Sequence, residues 1–449
     1  MTTENNTTLE HSPPPLEKEV IEGRRRELSG WQYWVVAGIA LAASLFHLYT
    51  AAFGLLSAMY QRGVHWMFMG SLIFLVYPVS KSRPKNKIDI WDWVLAALMA
   101  GGCLNILLNW DAIAMREGMP IASDIYIGTM MIILVIEAGR RSMGWPLPIV
   151  AIIATIYALF GPYFPGVLAH GGFPLEELAP FQYLRTDGIF GVPLGVSASF
   201  IFLFVLFGAI LSVTGAGQFF IDLSLALTGR SQGGPGKAAV VASGLMGTVS
   251  GSSVANAVTT GAFTIPLMKK AGYTSNFAGA VVAASSTGGQ VMPPVMGAAA
   301  FIMAQFLGIS YWDIVVAAAI PATLYFISII AMVHFRAGKR GIQSLTEETA
   351  PKVGKVLKEG WHLLLPIITL VIFLALGYSA VKAVFWSIVL MVCVSWMGKP
   401  QYRMTPKRLL DALIAGGMGA VEVAAACACS GLVIGVIGIL LAAYIFRWY

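Results

Sequence analysis

The chain has 449 residues, of which 57% are hydrophobic and only 11% are charged, with a formal net charge of +7 and a mean hydropathy of +0.76. Soluble globular domains carry about a quarter charged residues, so this composition excludes that class. Several apolar runs of about 18 residues or more predict a polytopic helical membrane protein, and the alternating pattern of an outer-membrane barrel is absent from the sequence.

The chain begins with a polar segment, residues 1–30, which contains three consecutive prolines and the basic residues Arg24, Arg25 and Arg26. It lacks the short apolar region and small-residue cleavage site of a signal peptide, and we predict a disordered cytoplasmic tail. The charge-sparse runs that follow are 31–59, 64–80, 91–110, 119–138, 145–165, 192–228, 238–268, 275–308, 314–335, 361–381, 383–398 and 410–446.

Two of these runs are free of charge but interrupted by polar and helix-breaking residues. The centre of residues 238–268 reads GTVSGSS, and residues 275–308 contain SSTGGQ followed by Pro293 and Pro294. Irregular backbone at bilayer depth is tolerated only where it is buried in protein or lines a cavity. The interruptions therefore mark the two runs as candidates for a functional site.

The basic residues predict how the runs cross the membrane. If every run crosses once except 238–268, which enters and leaves on one side, 24 Lys and Arg residues lie inside, and Arg62, Arg116, Arg185 and Lys382 lie outside. This asymmetry is the positive-inside pattern. The predicted fold is an all-α polytopic integral membrane protein with about 11 transmembrane helices plus one re-entrant hairpin and a cytoplasmic N-terminus.

Neutral oxygen atoms that could bind a cation are concentrated in the two interrupted runs. Secondary transporters place substrate and ion sites at discontinuous helices near the bilayer midplane. Residues 250–256 and 287–294 supply hydroxyl and amide oxygens beside glycines, a donor set that suits a monovalent cation such as sodium. A proton site would more naturally use Asp, Glu or His. The alternative is helix packing alone, since Gly247 and Gly251 also fit the G-x-x-x-G pattern.

The sequence offers little for catalysis. The cysteines Cys103, Cys393, Cys427 and Cys429 lie in apolar runs, and the six histidines form no metal-binding motif. An intramembrane enzyme needs a nucleophile with a base, or a metal cluster. We therefore predict that the chain is not an enzyme and needs no cofactor beyond a coupling cation. The bilayer explains its basic charge, so nucleic acid is not an expected partner.

Four segments of the chain resemble the large membrane subunit of TRAP transporters, the tripartite ATP-independent periplasmic transporters of prokaryotes. These segments are GLMGTVSGSSVAN from Gly244 to Asn256, TGAFTIPLMKKAGY from Thr260 to Tyr273, the pair Gly288 and Gly289, and the pair Pro293 and Pro294. The resemblance covers residues 190–446. The four preceding spans look like the small membrane subunit fused in front. Such a fusion, with EAGRR at 137–141 near the junction, is similar to the TAXI branch of the family.

The resemblance implies an elevator mechanism in the prokaryotic inner membrane, in which a scaffold holds a moving transport domain. An extracytoplasmic solute-binding protein would deliver a small organic solute, with carboxylates as the expected class, and a cation gradient would drive import. The implied domains are the tail, 1–30; a small-subunit-like four-helix scaffold region, 31–140; a connecting helix and outer loop, 141–190; and a large-subunit-like transport region, 191–449.

The resemblance also implies site residues. The ion- and substrate-binding residues expected from the first hairpin are Ser250, Gly251, Ser252, Ser253 and Asn256. Those expected from the facing unwound helix are Thr287, Gly288, Gly289, Pro293 and Pro294. Sodium is the expected coupling ion, at Ser250, Ser252 and Gly288, with a proton as the alternative.

The end of the sequence leaves other functions open. In the family a second broken hairpin would follow about where the chain ends at Tyr449, so we predict a truncated chain that lacks half of an inverted repeat. One alternative to a TRAP permease component is a stand-alone ion-coupled carboxylate symporter, which needs no soluble partner. The other is a truncated product that does not transport.

Overall fold

The computed structural model describes residues 25–80, 82–116, 119–342, 344 and 351–446. Within these residues the regular secondary structure is entirely helical. Residues 1–24 of the predicted tail lie outside the described part. Residues 25–29 are described, and they lead into the first helix beside the bundle.

The helices begin and end as follows. The first six are α1 (Gly30–Phe53), α2 (Ala58–Val76), α3 (Ile90–Met115), α4 (Ala122–Met143), α5 (Pro146–Leu159) and α6 (Leu175–Leu184). The next seven are α7 (Val192–Val196), α8 (Phe202–Val213), α9 (Ala216–Thr228), α10 (Gly234–Ser250), α11 (Ser253–Lys270), α12 (Ser275–Gly288) and α13 (Ala298–Leu307). The last six are α14 (Tyr311–Arg340), α15 (Val353–Gly360), α16 (Leu365–Ala375), α17 (Ala380–Val394), α18 (Pro406–Gly419) and α19 (Val421–Phe446).

Among the described residues, seven helical segments are long and apolar enough to cross a membrane. An eighth is counted if α15 and α16, which meet at an angle of 61°, form one bent span. The seven are α1, α3, α4, α7 continued through a π-helical turn into α8, α14, α17 with the turn that follows it, and α18 with α19. The all-helical polytopic fold is thus confirmed, and the larger number of spans stays a prediction.

Two runs that the sequence presents as continuous are each divided in the structure. Residues 192–228 break at Gly215, whose φ of +85° is a conformation that glycine adopts without steric cost. Residues 410–446 form α18 and α19, which are separated by Ala420 alone. The predicted connecting region, 141–190, contains α5, two short 3₁₀ turns and α6.

The first four helices share a core with the later ones. The Ser44 hydroxyl on α1 donates to the Leu413 carbonyl on α18 at 2.7 Å, and the Cys429 thiol on α19 lies 3.4 Å from the Val135 carbonyl on α4. Buried apolar side chains form one continuous cluster through both parts of the chain. Residues 31–140 therefore pack as part of the same bundle.

A second apolar cluster belongs to the helices around the two interrupted runs. Its buried members come from α10, α11, α12, α14 and the turns beside them. They are Ala239, Val240, Met268, Tyr273, Ala278, Val281, Phe326, Ile329, Val333, Ala337 and Ile342. These helices thus have apolar packing of their own beside the main core.

A buried ion cluster joins the start of the described chain to α3 and α4. Arg26 and Arg141 both pair with Asp92, the latter with its Nη1 at 2.6 Å from Asp92 Oδ1, and all three side chains are at most 2% exposed. Glu137 extends the cluster, with its carboxylate oxygens 2.8 Å from Arg141 Nε and 2.7 Å from Arg140 Nε. Arg26 also donates to carbonyls at the end of α2. Residues 25–29 are thus held in place through Arg26.

The same end of the bundle is joined to α19 by a tyrosine. The Tyr77 hydroxyl donates to Glu422 Oε1 at 2.7 Å, and Arg25 Nε donates to the Tyr77 hydroxyl oxygen at 2.8 Å. Arg25 Nη2 also lies 3.6 Å from Glu422 Oε1. Glu422 therefore belongs to a polar contact at the helix ends, next to the buried ion cluster.

Two buried histidines connect α1, α2 and the π-helical turn, Ser197–Ile201. His47 Nδ1 lies 2.7 Å from the Ala43 carbonyl, His47 Nε2 lies 2.9 Å from His65 Nδ1, and His65 Nε2 lies 3.0 Å from Ser197 Oγ. A carbonyl only accepts, so His47 Nδ1 carries a hydrogen. With both rings neutral, it follows that His65 Nδ1 donates to His47 and the Ser197 hydroxyl donates to His65.

Replacing His65 with leucine is expected to lower the free energy of unfolding by about 1–3 kcal/mol, since His47 Nε2 would be left buried without its hydrogen-bond donor. H65Q, whose amide can donate and accept, should recover part of the loss. Equilibrium unfolding of the purified protein in mixed micelles of increasing SDS content measures the stability of both variants. Equal losses for the two variants would contradict the hydrogen-bonded chain.

Candidate functional site

The first interrupted run is a helical hairpin made of α10 and α11. The turn consists of Gly251 and Ser252. Gly251 has a φ of +59°, and a Cβ atom there would lie 2.2 Å from the Met296 carbonyl oxygen, so glycine is required both by conformation and by space. The Ser252 hydroxyl accepts from the Ala255 backbone N–H at 3.3 Å and caps α11.

Polar side chains hold the two arms of the hairpin together. Ser243 Oγ and Thr260 Oγ1, each eight residues from the turn, lie 3.1 Å apart. Asn256 Nδ2 donates to the Ser243 carbonyl at 2.8 Å. This symmetry about the turn shows that the arms fold back on each other. The helical hairpin is therefore present, and its entry and exit on one membrane side stay a prediction.

The second interrupted run is a helix broken between α12 and α13. Residues 289–297 connect the two parts and include a cis peptide bond between Pro293 and Pro294. The Tyr311 hydroxyl at the start of α14 lies 2.8 Å from the Pro294 carbonyl oxygen and 2.6 Å from that of Val295. The connection is thus fixed by a side chain from outside the run.

The hairpin and this connection are in direct contact. A Cβ atom on Gly247 would lie only 2.4 Å from Gly289 Cα, so the two backbones touch with no side chain between them. The Val295 N–H donates to the Thr248 carbonyl at 3.3 Å. Near the hairpin turn, Gln290 Nε2 donates to Ser253 Oγ at 3.2 Å. The structure therefore brings together the two runs that the sequence marked as a site.

The predicted hairpin residues differ in their surroundings. Asn256 is fully buried, and its Oδ1 atom has no hydrogen-bond partner among the described residues, although its Nδ2 is bound. The hydroxyl of Ser286 on α12 is also buried without a partner there. By contrast, the Ser250 hydroxyl lies at the turn and donates to the Ser252 carbonyl at 3.4 Å. Asn256 and Ser286 thus provide unused neutral oxygens.

The predicted residues of the unwound helix point in different directions. A Cβ atom on Gly288 would lie 2.2 Å from the Tyr325 ring, so Gly288 faces α14, and Gly289 is the glycine that meets Gly247 of the hairpin. The Thr287 hydroxyl donates to the Ala283 carbonyl of its own helix at 2.8 Å. The expected sodium ligands Ser250, Ser252 and Gly288 are therefore not all on the surface where the two runs meet.

Sequence reasoning missed Ser243, Thr260, Ser286 and Tyr311 as residues that shape the site. Ser243 and Thr260 could have been found from their equal distance to the hairpin turn. Tyr311 gives no such signal, because it contacts backbone carbonyls that any residue would supply. Among the described residues, no group of three or more His, Cys, Asp or Glu side chains could hold a metal ion.

Comparison with known proteins adds an independent finding. A family model described as the DctM component of the tripartite ATP-independent periplasmic transporter matches residues 130–443. The match begins within α4 and includes the hairpin and the broken helix, whereas the sequence analysis placed the start of the large-subunit-like region at residue 191.

Curated relatives resemble part of the chain. It is 29% identical over 270 residues to the uncharacterized protein y4mL of Sinorhizobium fredii, covering 58% of this chain and 60% of that protein. It is 27% identical over 166 residues to the 2,3-diketo-L-gulonate TRAP transporter large permease protein YiaN of Escherichia coli, covering 37% and 39%. It is 31% identical over 166 residues to the sialic acid TRAP transporter large permease protein SiaM of Vibrio cholerae, covering 37% and 38%. The chain thus spans less than two thirds of each.

Proposed function

The chain belongs to the DctM family of tripartite ATP-independent periplasmic transporters, and from that premise we propose that it is a membrane permease component of a TRAP secondary transporter. A transport role rather than catalysis follows from the family. We propose that it lies in the prokaryotic inner membrane as a multi-pass protein with a cytoplasmic N-terminus. It receives its solute from an extracytoplasmic binding protein, and a cation gradient drives import.

The proposed substrate class is a small organic carboxylate. Relatives are named for 2,3-diketo-L-gulonate, sialic acid and C4-dicarboxylates, and each of these compounds carries a carboxylate group. The two interrupted runs contain no Asp or Glu that would repel such a group. Backbone N–H groups freed at the breaks are suitable donors to an anion.

The observation that carries the proposal is the contact between the hairpin and the broken helix, with the free Asn256 oxygen beside it. Asn256 Oδ1 and Ser286 Oγ are neutral, buried and unpaired among the described residues. Such oxygens fit a monovalent cation, and we propose sodium as the coupling ion. A proton is the weaker candidate, because both interrupted runs lack Asp, Glu and His. When bound, sodium would supply a positive charge near the substrate carboxylate.

We also propose an elevator mechanism with a fused small subunit of the TAXI type. The separate apolar cluster of α10, α11, α12 and α14 supports a transport unit with packing of its own. The buried pairing of Asp92 with Arg26 and Arg141 supports a rigid scaffold in the first four helices. The motif at 137–141 contributes Arg141 to that scaffold.

Replacing Asn256 or Ser252 with alanine is expected to abolish cation-dependent uptake, because the first change removes a buried oxygen ligand and the second uncaps α11 at the hairpin turn. Uptake is measured in proteoliposomes that contain the complete transporter assembly, its binding protein and a sodium gradient. T323A on α14 is the matched control, since the exposed Thr323 hydroxyl donates to the Ala319 carbonyl of its own helix at 2.7 Å.

Normal uptake by both N256A and S252A would contradict the proposed site. Omitting the binding protein distinguishes the alternative function, because a stand-alone carboxylate symporter would transport without it. Replacing the sodium gradient with a proton gradient distinguishes the coupling ions. If the wild-type assembly takes up no solute under any of these conditions, the transport function is contradicted.

A further inference from the structure

A cleft of about 630 Å³ lies between α3, α6 and α19, away from the hairpin and the broken helix. Its apolar walls include Trp110 and Ile113 of α3 and Ile439 of α19. Glu177 and Arg185 line it from the side of α6. The site proposed for transport uses none of these residues.

The position of the cleft along α3 gives its depth in the bilayer. Asp92, in the first turn of α3, belongs to the buried ion cluster at one end of the bundle, and Arg116 follows the last turn beside the cleft. With a rise of 1.5 Å per residue, these residues are about 36 Å apart along the helix. The hydrocarbon core of a bilayer is about 30 Å thick. The cleft therefore lies at the level of the opposite headgroups.

The two arginines at the cleft, Arg116 and Arg185, differ in their partners. Arg116 Nη1 lies 3.1 Å from Asp124 Oδ2, so this arginine is neutralised by a buried carboxylate. The Arg185 guanidinium lies 5.2 Å from the centre of the Phe181 ring. In the part of the chain that the structure describes, no carboxylate forms a salt bridge with Arg185. Arg185 is thus a positioned cation without an anionic partner there.

The helix surfaces beside the cleft are apolar and exposed, as lipid-facing surfaces are. Leu108 and Met115 on α3 are 74% and 83% exposed, and Leu441 on α19 is 57% exposed. An apolar groove that opens between such residues and carries a cation at headgroup depth offers one surface for an acyl chain and one for a phosphate. A small soluble anion would use the cation but would leave the apolar walls of α3 and α19 uncovered.

We propose that this cleft binds one phospholipid of the adjoining leaflet, with its phosphate on Arg185 and an acyl chain against Trp110 and Ile439. The planar guanidinium suits phosphate, since it can donate two parallel hydrogen bonds. Glu177, eight residues before Arg185, also lines the cleft, and its carboxylate would accept a hydrogen bond from the ammonium of an ethanolamine headgroup. The lipid would contact α3, α6 and α19 together.

The test is native mass spectrometry of the delipidated full chain titrated with phosphatidylethanolamine. One lipid should stay bound to the wild-type protein, and R185Q should bind it about tenfold more weakly, the change expected for loss of a hydrogen bond to a charged group. A442W, which fills the cleft without removing a charge, should also lose the lipid. K382Q removes an exposed cation elsewhere and should bind as the wild type does.

Two further probes show whether both the phosphate and the acyl chains of the lipid are needed for binding. A diacylglycerol with the same acyl chains lacks the phosphate, and inorganic phosphate lacks the chains, so neither should occupy the cleft at the same concentration. Wild-type lipid binding by both R185Q and A442W would overturn the proposal. Equal retention of diacylglycerol would also overturn it, since only nonspecific annular lipid would then be present.

Discussion

Replacing Asp92 with alanine is expected to lower the free energy of unfolding by about 3–5 kcal/mol, the cost of breaking a buried ion pair by removing one partner. Asp92 is the carboxylate shared by Arg26 and Arg141. Arg141 keeps Glu137 at 2.8 Å, but Arg26 would be left as a buried charge without a counterion. Loss of the Asp92 carboxylate should therefore separate residues 25–29 from the helices that they join.

A nearby aspartate provides the control. Asp89 Oδ2 lies 3.4 Å from Arg83 Nη1, and these side chains are 34% and 55% exposed. D89A should cost less than about 1 kcal/mol, because an exposed ion pair is screened by solvent. Both variants are compared by equilibrium unfolding in mixed micelles of increasing SDS content. A D92A variant as stable as D89A would show that the buried cluster contributes no net stability.

Replacing Gly247 with valine is expected to abolish transport and to destabilise the protein by about 1–3 kcal/mol or more, the usual cost of overpacking. A Cβ atom at this position would lie 2.4 Å from Gly289 Cα, and backbone cannot yield as a flexible side chain can. The hairpin would be displaced from the broken helix. The Asn256 side chain, which lies beside Gly289, would move with the hairpin.

Uptake in proteoliposomes and unfolding in mixed micelles measure the two effects of G247V. The matched control is G279A on α12, where an added Cβ atom has no neighbour within 4 Å. This variant should transport at the wild-type rate. Wild-type uptake by G247V would show that the backbone contact is not needed for transport.

The interruptions of the helices could be predicted because their causes are local. Glycines at the hairpin turn and prolines in the second run are visible in a few consecutive residues, and the structure has breaks in both places. The direction of neighbouring residues at a helix end could not be predicted in the same way. Successive helical residues point about 100° apart, and this separates Gly288, which faces Tyr325, from Gly289, which faces the hairpin.

The buried ion cluster illustrates what the sequence could not reveal. Arg26 and Arg141 are 66 and 49 residues from Asp92 along the chain. No periodicity or motif connects positions so far apart, and each residue alone resembles an ordinary charge at the end of a membrane span. Only the packing of α2, α3 and α4 brings the three side chains together.

The contact between Gly247 and Gly289 has a mechanical consequence. Main-chain atoms on both sides leave no side chain that could change rotamer to absorb a shift, so the hairpin cannot slide over residues 289–297. We therefore expect the two interrupted runs to move together whenever either of them moves. A hinge for such a movement would therefore lie outside these runs and outside α14, whose Tyr311 and Tyr325 contact the broken helix.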